Sequence, residues 1–215
     1  LRQSLNKGSN DTQTAAVRPG VRREELIEIA ASMFAEKGYA NTSIQDIAEK
    51  LGMLKGSIYY YIDAKEDLLF EVIRSTMIFW YSLVEEVRAS TAPTLDRLHT
   101  YVHRNIEGSL HARHRTEVFY HDFQALSPER QRVILDMRHE HDTLLRDLIR
   151  TAKKEKLIAR HVNVKLVSLA ILTMSGSLYR WYNVDGDLSA RSIADELTRF
   201  VLQGLGALPA ENSHR

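Results

Sequence analysis

The chain has 215 residues, a formal net charge of +1 at pH 7, 44% apolar residues and no cysteine. That is enough for one large helical domain, or a small head on a larger body, with a full core. The missing cysteine excludes disulfides, thiol catalysis and cysteine-based zinc sites and fits a reducing cytoplasm, while the near-neutral charge argues for no partner by itself.

Residues 1–20 are polar and without a periodic face, and read as a mobile arm or solvated tail. From Val21 to Lys37, Leu26, Ile27, Ala30, Met33 and Phe34 share one face, predicting an amphipathic helix stopped at Gly38. In Thr42 to Glu66, Ile44, Ile47, Ala48 and Leu51 fall at i, i+3, i+4 and i+7 of a short helix. Thr42 and Ser43 are its natural N-caps, and Gly52 closes it where a left-handed residue is needed. A second helix is predicted from Lys55 to about Tyr61. Two helices joined by a glycine-containing turn describe a helix-turn-helix, whose second helix enters the DNA major groove. Lys55, Gly56 and Ser57 are small or cationic, as close approach to DNA requires. Three consecutive phenols, Tyr59 to Tyr61, are too many to bury in so short a helix, so one or two face outward. Basic and acidic residues balance through Glu66. Positive potential must therefore be local, on Arg18, Arg22, Arg23, Lys55 and Lys65.

A long helix follows from Asp63 to about Ala89 and ends before Pro93, so one rod links the head to the rest. Beyond it, helices are predicted from Leu95 to near Gly108, Glu117 to Ala125, Pro128 to about Lys156 with Ser127 as cap, Val164 to Tyr182 capped by Asn163, and a final one capped by Ser189. No strand alternation appears, so the fold class is all-α. The division is an arm (1–20), a helix-turn-helix head (21–66), an effector-binding and dimerisation domain (67–208) and a tail (209–215). The most apolar run, Leu166 to Leu178, falls short of the ~20 residues of a membrane span and reads as a buried helix.

Nine histidines invite a metal reading. His99 and His103 lie at i, i+4, but no Glu-x-x-His pair repeats, and His139 and His141 point to nearly opposite faces. Solvated or capping histidines are the better account, and no metal or cofactor is assigned. No nucleophile elbow, phosphate loop, dinucleotide fingerprint or zinc-protease motif occurs, so no enzyme is expected. Phe79, Trp80, Tyr101, Phe119, Phe123, Met137, Met174 and Trp181 are ample lining for an apolar cavity between helices, although ordinary core packing accounts for most of them.

The head resembles the DNA-binding domain of the TetR family of bacterial transcriptional regulators. The resemblance is carried by Thr42, Ser43, Ile47, Ala48, Gly52, Met53, Gly56, Ser57, Ile58, Tyr59, Tyr61, Ile62, Lys65, Glu66 and Leu68. Leu54 departs from it, standing where a Ser or Thr usually caps the recognition helix, and Ala64 replaces a small polar cap. The resemblance implies a homodimeric repressor on a palindromic operator in double-stranded DNA. Thr42, Ser43, Tyr59 and Lys65 would contact phosphates, and Lys55, Gly56, Ser57 and Tyr60 would lie along base edges. It also implies a small effector bound in the second domain. The run Arg180 to Ser189, with Leu54, is similar to the subgroup that responds to acyl-CoA thioesters in fatty-acid and steroid catabolism. Arg146, Arg150, Lys153, Lys154 and Arg180 would then be candidates for the CoA phosphates. The alternative is a helical ligand- or metal-binding protein whose helix-turn-helix is vestigial.

Overall fold

The computed structural model describes residues 19–207, with side chains from Arg23 onward, so the predicted arm and tail lie almost wholly outside the described residues. All regular structure in that span is helical: α1 Pro19–Lys37, α2 Ile44–Lys50, α3 Lys55–Ile58, α4 Lys65–Ala89, α5 Thr94–His111, α6 Arg113–Asp122, α7 Pro128–Lys154, α8 Val164–Ser177 and α9 Ala190–Gly204. Short 3₁₀ turns follow α6 (Phe123–Ala125) and α8 (Leu178–Arg180).

Local chemistry sets most of the boundaries. Ser43 caps α2 with a full capping box: its hydroxyl accepts the Asp46 N–H while the Asp46 carboxylate accepts the Ser43 N–H. Gly38 and Gly52 take positive φ, +81° and +64°, where a side chain would be strained. Leu54 gives α3 no side-chain cap. At α4 the missing cap at Ala64 is replaced from inside the helix, because the Asp67 carboxylate accepts both the Asp63 and Ala64 N–H groups.

Four expectations need correcting. The recognition helix is shorter than Lys55–Tyr61, because after Ile58 the chain tightens into i→i+3 bonds from Tyr60 N–H to Ser57 and Tyr61 N–H to Ile58. Helix α5 runs through Gly108 to His111. This glycine serves packing rather than termination, since a methyl there would overlap the Phe79 ring. Ser127 makes no side-chain cap; its backbone N–H is instead held by the Glu66 carboxylate at 2.9 Å. Helix α8 stops at Ser177, so Trp181 and Tyr182 lie beyond it.

Two apolar cores result. One joins α1–α3 and the first half of α4 (Phe34, Ile47, Ile58, Leu69, Ile73) to Val118, Phe119, Leu126 and Ile134 of the body. The other gathers Leu83 and Val87 of α4 with α5, α7, α8 and α9 around Tyr101, Leu145 and Ile149. Helix α4 runs through both.

Candidate DNA-contact surface and effector cavity

The head exposes Ser43, Lys55, Gly56, Ser57, Tyr59 and Tyr60. Ile58 beneath them is fully buried and pins the short helix to the head core. Tyr60 is 81% exposed, and Tyr61 packs edge-on against it while staying half-buried, so two of the three phenols face outward. Gly56 has neither a positive φ nor any neighbour that a methyl would meet. In a helix such a glycine costs ~1 kcal/mol relative to alanine, and nothing inside this chain requires it.

Two expected phosphate contacts are removed. Thr42 is 1% exposed, and its hydroxyl faces the carbonyls of Met33 and Gly38 at 3.2 and 3.0 Å, locking the end of α1 to the start of α2. The Lys65 ammonium donates to the carbonyls of Tyr39 and Thr42 at 2.8 and 3.0 Å and lies 4.2 Å from the centre of the Tyr39 ring. It is an internal clamp rather than a free cation. Arg23 pairs with Glu71 at 2.8 Å, and Lys55 is exposed. Arg18 and the Arg22 side chain lie outside the description.

Head and body meet through charged contacts as well as the shared core. Arg130 of α7 pairs with Asp67 and approaches Glu66 at 3.6 Å, and Arg115 of α6 pairs with Glu28 of α1. The Ser127 N–H, helped by Arg130, holds the Glu66 carboxyl below its ordinary range. Burial raises Asp122 at the end of α6, where it accepts the Tyr39 N–H of the head.

The eight aromatic and methionine residues proposed for an effector do not converge. Trp80 and Phe119 line a cavity of about 20 Å³ with Asn105, Ser109, Tyr120, Arg138, His141, Asp142, Leu172, Ser175 and Gly176. Tyr101 is fully buried core, its phenol donating to the His141 carbonyl at 3.0 Å. Phe79 lines a larger cavity of about 390 Å³ with Glu28, Thr76, Arg104, His111 and Arg115. Met174 lies in a groove of about 200 Å³ between α8 and α9, beside Phe200. Phe123 and Met137 pack against the head-side core, and Trp181 is 56% exposed. Ser175-Gly176 seats a ring: a methyl on Gly176 would overlap the Tyr120 phenol, which stacks on Tyr179.

Sequence reading gave His141 a solvated or capping role, and the structure overturns this. It is 3% exposed, sandwiched by Trp80 and Tyr101 with ring centroids 5.1 and 5.2 Å away. Its Nε2 lies 3.0 Å from Asn105 Oδ1, and burial holds its imidazole below the ordinary pKa. No sequence spacing links Asn105 to His141, so only packing reveals this pair. The proposed phosphate cations are partly committed: Lys153 donates to the Val162 carbonyl at 2.7 Å, Arg150 pairs with Asp147, and Arg146 is half-buried near Asp142. Among the described residues no helix is long and apolar enough to cross a membrane, and no group of three or more His, Cys, Asp or Glu is arranged to hold a metal.

Comparison with known proteins agrees with this architecture. Residues 26–72 match the family model for bacterial regulatory proteins of the tetR family, and residues 91–205 match that for the tetracyclin repressor-like C-terminal domain. The transcriptional repressor KstR2 of Mycobacterium tuberculosis is 29% identical over 185 residues, covering 86% of this chain and 92% of the relative. The structure of that ketosteroid regulator superposes with a TM-score of 0.82 at 28% identity, over 90% of this chain and 99% of the other. AibR, in complex with isovaleryl coenzyme A and operator DNA, gives 0.74 at 25% identity, over 87% and 100%. PfmR from Thermus thermophilus gives 0.76 at 27% identity, over 84% and 98%. The chain belongs to the TetR family of bacterial transcriptional regulators.

Proposed function

We propose that the chain is a cytoplasmic repressor that binds a palindromic operator as a homodimer and is released by a small effector, an acyl-CoA thioester being the class to test first. The observation that carries the DNA reading is Gly56. It is exposed in a helix that gains nothing from it, so the requirement comes from a surface approaching from outside. Lys55, Ser57, Tyr59 and Tyr60 surround it with a cation, hydroxyls and aromatic faces, the chemistry of phosphate and base-edge contact. Two such heads, ~34 Å or a multiple apart, would read the two halves of a palindrome. Helices α8 and α9 support the dimer, since both expose apolar side chains, Leu166, Leu169 and Phe200, beside their shared groove.

Helix α6 supports the switch. It carries Phe119 and Tyr120 at the cavity, and Arg115 and Asp122 at the head. A ligand that displaces α6 would therefore shift the balance between two dimer states with different operator affinity. AibR, whose complex holds isovaleryl coenzyme A and operator DNA, favours the thioester class.

Selection from a random DNA pool tests the first half: an enriched palindrome supports it, and no enrichment returns the vestigial reading. A thermal-shift panel of free acids and CoA thioesters tests the second. A ligand at 100 times its dissociation constant adds ~2.7 kcal/mol, several degrees for a chain of this size. Free acids and thioesters that all leave Tm unchanged would remove the effector.

A further inference from the structure

Helix α3 begins at a leucine that gives the surrounding protein nothing. Leu54 is its N-cap, in an extended conformation at φ −73° and ψ 142°, and makes no side-chain hydrogen bond to the first turn. A serine, threonine, aspartate or asparagine there would take one of the free N–H groups, so the leucine leaves the helix less stable than it could be. Nor is it part of the core. Leu54 is 81% exposed, and among the described residues of the head no other large aliphatic side chain is exposed. Its backbone is nevertheless held. The Met53 N–H donates to the Ala48 carbonyl at 2.9 Å, and the Leu54 carbonyl accepts the Ser57 N–H at 2.9 Å. Single exposed leucines are common and mean little alone. This one heads an unbroken exposed run, Leu54-Lys55-Gly56-Ser57, on the surface that carries the DNA reading.

We infer that Leu54 is a base-reading residue, whose side chain packs on the methyl group of a thymine in the major groove. This rests on the DNA reading above and adds to it a specificity-determining residue and a base. Chemistry selects the base. Leucine has neither donor nor acceptor, so it gains nothing from a phosphate or from the hydrogen-bonding edges of the bases. The thymine methyl is the one apolar group that base edges present in the major groove, and covering it removes both partners from water. A cytosine at the same place would set an amino group against the leucine and leave that donor unpaired. Lys55 and Ser57 supply the polar contacts that Leu54 cannot make, and Gly56, bare of a side chain, lets the backbone come close enough. Because the turn is already fixed, only the leucine rotamers remain to be ordered on binding.

Replacing thymine by deoxyuridine tests this, since it removes the methyl and keeps the base pair. The site enriched by pool selection is remade with uracil at each thymine in turn, in both half-sites together. Each version is titrated with the full chain and with its Leu54→Met and Leu54→Ser variants. At one symmetric pair of thymines, uracil should weaken wild-type binding by about 4-fold per half-site. Leu54→Met, which keeps an apolar reach, should retain most of that loss, and Leu54→Ser should remove it. Uracil elsewhere should cost all three chains equally. Leu54→Ser gains a cap and should melt no lower than the wild type, which separates a changed contact from a lost fold. An enriched site without thymine, or uracil losses in Leu54→Ser that match the wild type at every position, overturns the inference while leaving operator binding in place. If no sequence is enriched, the inference and the DNA reading fall together.

Discussion

The two apolar cores differ in what surrounds them. Over the head, at residues 23–66, the exposed residues are mostly polar or aromatic, with Leu54 the single large aliphatic among them, and the glycines at 38 and 52 are explained by backbone geometry. The body core instead runs out onto an apolar face at Leu166, Leu169 and Phe200. Between them lies a polar seam: Trp80 and Met137 are the last head-side residues on α4 and α7, Leu83 and Leu144 are the first on the body side, and His141 sits between. A ligand wedged at the seam, if the effector binds there, would change how the cores sit on each other without dissolving either. The packing therefore divides at Trp80–His141, well along α4, rather than where the helix-turn-helix ends.

The strongest way to break this picture is to empty one core at a time. Ile58→Ala in the head and Leu145→Ala in the body should each cost about 2–5 kcal/mol. Followed by urea denaturation with tryptophan emission, both should move a single transition. A two-step melt in either variant would mean that the cores unfold independently and the seam is a true domain boundary.

Lys65→Met should cost roughly 1–3 kcal/mol, because two part-buried carbonyls lose a charged donor. The salt dependence of operator binding should keep its slope in this variant. A slope lowered by ~1 would restore Lys65 as a phosphate contact.

At the exposed surface the signs separate. Tyr60→Ala should leave stability within about 0.5 kcal/mol and alter operator preference, read by repeating the pool selection. Gly56→Ala should stabilise the head by up to ~1 kcal/mol and weaken operator binding. A variant that is more stable and still binds normally would remove the argument from Gly56.

The smallest effect concerns pH. Burial lowers the folded-state pKa of His141, and of the half-buried His114 with help from Arg113. Their contribution is fully present above the unfolded value, ~6.5, and is lost as pH falls below it toward the folded values, because the unfolded chain then binds more protons. Tm should decline from about pH 6.5 downward, and His141→Gln should flatten part of that decline. An identical decline in the variant would assign it to other groups.

The sequence revealed whatever depends on near neighbours. The Ser43 cap, the stop at Gly38, the left-handed Gly52, the rod after Asp63 and the starts at Pro128, Asn163 and Ser189 all rest on chemistry within a few residues. It failed wherever a side chain chooses a partner far along the chain. Thr42 and Lys65 fit a phosphate as well as they fit a carbonyl, and only the placement of Met33, Gly38 and Tyr39 decides between them. The aromatic set failed for a related reason. Periodicity tells which face of α4 is buried, but not that Phe79 and Trp80 open onto different cavities. Gly176, small in an apolar helix, suggests close packing but not that Tyr120 is the partner, and Gly108 reads as a helix end although it admits Phe79.

Helix α4 acts as a lever as well as a shared wall. Its 25 residues span ~37 Å, with ~22 Å between Trp80 and Lys65 at 1.5 Å per residue. A tilt of only ~6° about the Trp80 seam would carry the Lys65 end about 2 Å sideways. In a dimer the two heads would move in opposite directions, and the spacing between them would change by roughly twice that, comparable to the ~3.4 Å rise of one base pair. An effector would then need to do little more than tip a stiff beam by the width of a hydrogen bond to leave both heads out of phase with their half-sites.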